Sequence, residues 1–77
     1  MRKNAEKVLN AFCNGMPCNG QTIHTDGITL YSYRMKIGER FPHGVTLLEY
    51  SNAPTATTRS HVRAAEVFFY DRIIRRF

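Results

Sequence analysis

The sequence predicts an α+β fold: an N-terminal helix, an antiparallel sheet of three to four strands, and a long C-terminal helix packed on that sheet. Three observations predict it. Apolar residues recur at helical spacing near both ends of the chain, whereas the middle alternates with the period of a half-buried strand. Asp26-Gly27 separates two β-prone runs, a strong short-range hairpin signal. The chain has 77 residues, which suits one domain, residues 1–77. A chain of this size buries roughly 60% of its unfolded surface.

The first helix is expected over residues 2–14. Ala5, Val8, Leu9 and Phe12 follow the i, i+3, i+4, i+7 spacing of a buried face. Asn14-Gly15 is a natural stop, with Gly15 in the left-handed C′ conformation. Met16 is then placed to fold back on the helix, and Pro17 forbids continuation. Cys18-Asn19-Gly20 reads as a further turn.

A two-residue turn at Asp26-Gly27 would pair Thr25 with Ile28, His24 with Thr29, Ile23 with Leu30 and Thr22 with Tyr31. Alternation then puts Ile23, Ile28 and Leu30 on a core face. Thr22, His24, Thr29, Tyr31 and Tyr33 share the other face, a candidate recognition surface. In the next run Met35, Ile37 and Phe41 alternate with Arg34, Lys36 and Arg40. The polar side is either a basic stripe or a charged edge that discourages pairing with other chains. Gly38 is a candidate bulge. Pro42-His43-Gly44 reads as a turn, and residues 45–50 as a more central strand.

Residues 51–58 form a loop of small polar residues. Their hydroxyls are N-cap candidates or phosphate donors. The last helix is expected from about Thr58 to Arg76. Val62, Ala65, Phe69 and Ile73 make its core stripe. Val67, Tyr70 and Ile74 make a second apolar side for helix one or for a second copy of the chain, as in a homodimer. Arg72, Arg75 and Arg76 meet the negative end of the helix dipole or form an arginine patch for phosphate or an acidic partner.

Eleven Lys and Arg against six Asp and Glu give a net charge of +5. That balance favours an anionic partner, or simply keeps a small protein soluble. It argues against an acidic mimic of DNA. No apolar run approaches the ~20 residues of a membrane span, and no signal peptide is recognised. A cytoplasmic protein without membrane contact is expected. Cys13 and Cys18 are expected to be reduced there, and their spacing matches no standard zinc site. Neither a metal nor another cofactor is expected. Ser60 and His61 are sequence neighbours, which does not bring their side chains together on a helix. No phosphate loop or nucleophile elbow occurs. The chain is not expected to be an enzyme and has no candidate catalytic residue. The candidate anion-binding residues are Arg34, Lys36, Arg40, Arg59, Arg63, Arg72, Arg75 and Arg76. The candidate stacking or interface residues are His24, Tyr31, Tyr33 and Tyr70.

Thr25-Asp26-Gly27, Leu30-Tyr31-Ser32-Tyr33, Ile37-Gly38, Tyr50-Ser51 and Thr57-Thr58-Arg59-Ser60-His61 together resemble a group of small uncharacterised domains found largely in bacteriophages and mobile elements. The resemblance spans roughly residues 8–62. Residues 52–56 intervene between Tyr-Ser and Thr-Thr where the group has one or two residues. The group has no assigned activity, so no site residue carries over. The resemblance implies a phage or plasmid accessory protein acting in an infected bacterial host.

Two kinds of partner follow. One is nucleic acid, or a host ribonucleoprotein that carries it, met by cations at phosphates and by tyrosines stacking on bases. The other is a host-defence protein, blocked by contact in the manner of an anti-CRISPR inhibitor. A sponge for a signalling nucleotide is a variant of the second. A structural part in a virion or assembly is a third reading.

Overall fold

Ala5, Val8, Leu9 and Phe12 place α1 (Lys3–Cys13) against a sheet in the computed structural model, which describes residues 3–77. Residue 2 of the expected helix lies outside the described residues. Gly15 ends the helix at φ 71°, and the Met16 N–H bonds back to the Ala11 carbonyl at 2.8 Å. Met16 itself stays 58% exposed rather than folding back.

The sheet corrects the expected fold. It has six strands, not three or four: β1 (Cys18–Gly20), β2 (Ile23–Thr25), β3 (Thr29–Ser32), β4 (Met35–Phe41), β5 (Gly44–Leu47) and β6 (Ile73–Arg76). They lie in sequence order; all neighbours are antiparallel except β5 and β6, so the sheet is mixed. A 3-10 turn at Tyr50–Asn52 leads to α2 (Ala56–Phe68), whose N-cap is Thr55. This C-terminal helix has 13 residues and is not the long helix expected.

The two missed strands have distinct causes. Cys18-Asn19-Gly20 looks like turn chemistry, but the turn falls one step later, at Gln21-Thr22, because Gly20 pairs with Ile23. Gln21 takes φ 72° and Tyr33, in the β3–β4 turn, takes φ 55°. Primed hairpin turns demand such angles, and neither residue advertises them. At the other end, helical periodicity continues past Phe68 with no glycine or proline to stop it. Phe69 is the last fully buried residue, at 1% exposure, with Ile73 packed against the core's margin. Beyond it the β-branched Ile73 and Ile74 extend. Their segment satisfies the open edge of β5 through Val45 N–H to Arg72 O (2.9 Å) and Phe77 N–H to Leu47 O (3.0 Å).

Both helices lie on one face of the sheet. The core between them and the strands contains Val8, Leu9, Phe12, Ile23, Leu30, Ile37, Val45, Leu47, Val62, Ala65 and Phe69. Phe12 and Phe69 meet edge to face at 5.6 Å, one from each helix end. Such a pair contributes about 0.5–1.5 kcal/mol beyond its area. Among the described residues no helix is long and apolar enough to cross a membrane.

Two substitutions test this packing. Phe69→Ala should cost about 3–5 kcal/mol in urea unfolding. A Cβ at Gly44 would sit 2.4 Å from the Arg72 carbonyl oxygen and 2.7 Å from Ile74 Cγ1. Gly44→Ala should therefore cost about 1–3 kcal/mol and raise hydrogen exchange at residues 73–76 more than in β2 and β3.

Candidate nucleic-acid interface

The hairpin that carries His24, Tyr31 and Tyr33 is built by three side chains. Asp26 Oδ1 accepts from the Ile28 and Thr29 N–H groups at 2.9 and 2.8 Å. Thr25 Oγ1 accepts from Gly27 N–H at 3.0 Å and donates to the Thr29 carbonyl at 2.7 Å. Arg40 Nε donates to the Gly27 carbonyl at 3.1 Å. The Asp-Gly pair is therefore the first half of a four-residue loop, because Thr25 pairs with Leu30, His24 with Tyr31 and Ile23 with Ser32. The register differs by two residues from that of a two-residue turn. A shift of two preserves the faces, so Ile23 and Leu30 are buried as expected. Ile28 is lifted out to 58% exposure.

The face opposite the helices is covered by no other element among the described residues. Successive pairings set Asn19 beside His24, His24 beside Tyr31, and Tyr31 beside Lys36. One residue per strand thus crosses four strands in a row. The rings of His24 and Tyr31 stack, with centroids 5.0 Å apart and planes 14° from parallel. His24 Nε2 donates to the Tyr33 carbonyl at 2.7 Å, which fixes the ring. The Lys36 ammonium lies 5.4 Å from the centre of the Phe77 ring and pairs with Glu39 at 2.5 Å. A second row runs Thr29, Glu39, Thr46, Arg75.

The basic stripe expected on the fourth strand does not form. Leu30 pairs with Gly38 and Tyr31 with Lys36, so Ile37 is an extra residue in β4. The bulge reverses the alternation beyond it. Lys36 faces out, but Arg40 turns to the helix side, and Phe41 faces out at 37% exposure. Arg34 sits in the β3–β4 turn. The expected C-terminal arginine cluster is also divided. Arg75 faces out. Arg76 turns under the sheet to Glu66 of α2, which also pairs with Arg63 at 3.2 Å. Arg72 lies 5.1 Å from the Phe69 ring centre and donates to the Phe68 carbonyl at 3.5 Å and to Cys13 Sγ at 3.4 Å. Arg59 donates to the Ala53 carbonyl at 3.3 Å, and Arg63 covers the Tyr50 ring at 4.4 Å. Of the eight expected cations, Arg34 and Arg75 alone have a side chain with no hydrogen-bond, ion-pair or ring partner among the described residues. Lys36 and Arg75 belong to the sheet side; Arg59, Arg63 and Arg76 belong to the helix side. Tyr33 is 51% exposed beside Arg34, whereas Tyr70, 85% exposed, stands in the turn after α2. The second apolar side drawn for a long helix is dispersed: Val67 is on α2, Tyr70 in that turn and Ile74 on β6.

Sequence reasoning missed Asn19 and Phe77 on the outer face, since both depend on strands it did not place. It also missed a buried chain of hydroxyls under α2. Thr55 Oγ1 donates to Thr58 Oγ1 (3.0 Å), which meets Ser32 Oγ (3.2 Å). Ser32 Oγ meets His61 Nδ1 (2.7 Å), and His61 Nε2 meets Thr22 Oγ1 (3.4 Å). Ser32 is 1% exposed, so this Ser-His pair holds the helix on the sheet and offers no accessible nucleophile. Cys13 and Cys18 are free thiols. Among the described residues no group of three or more His, Cys, Asp or Glu is placed to hold a metal ion. Comparisons with family models, curated proteins and solved structures found no match for this chain.

The backbone donors at Thr29 and Ile28 hold the Asp26 carboxyl below its ordinary value of 3.8. A lowered folded-state value means that ionised Asp26 stabilises the fold above the ordinary value, and that this is lost as pH falls through the lower one. Asp26→Ala should be less stable than the parent at pH 7, with the gap narrowing as pH falls below the ordinary carboxyl value; urea midpoints at neutral and at acid pH measure it. Ser32→Ala, which strips the central hydroxyl from the buried chain, should cost about 1–3 kcal/mol at neutral pH by the same method.

Proposed function

We propose that this chain is a nucleic-acid-binding accessory protein of the phage type, and that it holds a single strand on the open face of its sheet. The observation that carries the reading is the row across four strands: an amide, two stacked rings and an ammonium, with Phe77 beside the ammonium. Flat rings offer stacking surfaces to unpaired bases, and cations beside them meet the phosphates. A duplex hides its base faces, so this surface favours single strands. Arg34 and Arg75 add charge at the margins of the row without having to leave an intramolecular partner. The phage origin rests on the sequence resemblance over residues 8–62.

Fluorescence anisotropy with a labelled single strand of about 12 nucleotides tests it. Affinity should exceed that for a duplex of the same length. With about three phosphate contacts it should fall about 20-fold between roughly 50 and 200 mM salt. Tyr31→Ala should weaken binding by about 1–3 kcal/mol. Unchanged affinity in Tyr31→Ala, or a flat response to salt, would sink the reading.

A further inference from the structure

On the helix side of the sheet, a groove of about 1210 Å³ runs between the start of α1, the β1–β2 turn and α2. Its chemistry is graded along α2. Thr57, Ser60, Ala64 and Val67 line it at spacings of three and four, so they share one helix face. The first two are hydroxyls and the last two are apolar. Arg59 and Arg63 stand on the flank beside Tyr50, and Asn4 and Gln21 supply amides on the opposite wall.

Three facts bear on what fits there. No carboxylate is among the described residues that line the groove. The nearest acid on α2, Glu66, is occupied by Arg63 and Arg76. The guanidinium groups of Arg59 and Arg63 are steadied, by the Ala53 carbonyl and by the Tyr50 ring, and each uses few of its five donors. A steadied arginine loses less freedom on binding and suits phosphate oxygens. His61 lies in the floor, its ring oriented by Ser32 at Nδ1.

We infer that this groove binds a nucleoside phosphate, with the phosphate at the Arg59, Ser60 and Arg63 end and the nucleoside toward Ala64 and Val67. The amides of Asn4 and Gln21 match the mixed donor and acceptor edge of a base. The grading from cations to apolar side chains matches a ligand that is anionic at one end only. The groove and the row on the sheet face share no residue, and the β1–β2 turn lies between them, where Gln21 N–H donates to Asn19 Oδ1.

Thermal unfolding of the full chain with adenosine monophosphate tests the assignment, with inorganic pyrophosphate as the arm that lacks a nucleoside. Adenosine monophosphate should raise the midpoint by about 5 °C or more at tenfold over Kd, and pyrophosphate by less. Ser60→Glu places a carboxylate at an exposed position of the phosphate end and should abolish the shift. Arg63→Gln should reduce it at least about fivefold in affinity. Tyr31→Ala should retain it, which separates this site from the strand-binding face. No shift with up to about 5 mM ligand would overturn the inference. So would an equal response to pyrophosphate, or a full response in Ser60→Glu with native circular dichroism.

Discussion

The hydrogen bond between Ser32 and His61 is the contact on which the arrangement of this small protein turns. Apolar side chains can slide over one another at little cost, but a buried hydroxyl and imidazole each need a partner. Ser32 sits at the end of β3 and His61 in the first half of α2, so their bond fixes the helix over one place on the sheet. Thr58 and Thr55 extend it back to the N-cap, and Thr22 ties it to the first hairpin. With α2 held there, Phe69 meets Phe12, and the chain after the helix arrives beside β5.

That placement divides the molecule chemically. Both helices use the same side of the sheet, which leaves the other side bare among the described residues. On the bare side the bulge at Ile37 decides which residues appear. Strict alternation would have presented Arg40 with Lys36; the extra residue presents Phe41 and Glu39 instead and sends Arg40 to brace the Gly27 carbonyl. The excess positive charge is therefore split. Lys36 and Arg75 belong to the sheet face, while Arg59 and Arg63 belong to the groove. Other arginines serve packing: Arg72 lies over Phe69, and Arg76 pairs with Glu66.

Local signals in the sequence were legible where one segment determined its own conformation. The spacing of Ala5, Val8, Leu9 and Phe12, the stop at Gly15, and the doubling back at Thr25-Asp26-Gly27 all depend on near neighbours. The length of that loop, two residues against four, was not, because the side chains of Thr25 and Asp26 bind the backbone beyond the pair. The first and last strands were illegible for a different reason. Cys18–Gly20 and Ile73–Arg76 are extended because a neighbouring strand lacks a partner, and that need is invisible from their own residues. The Ser32–His61 pair is 29 residues apart. Serine at an inward strand position and histidine on an inward helix face are each ordinary, and neither signals the other.

The last strand has a bearing on how copies of this molecule treat one another. A sheet with two open edges is a template for endless addition of strands, the route to fibrils. Here one edge, Cys18–Gly20, is only three residues long and offers little backbone to copy. The other carries Arg75 among its four residues, with Arg76 already paired to Glu66, so an identical edge brought alongside sets the Arg75 charges against each other. Arg75 thus guards a concentrated solution of the protein against ordered aggregation, and a long polyanion that neutralised it would lift that guard.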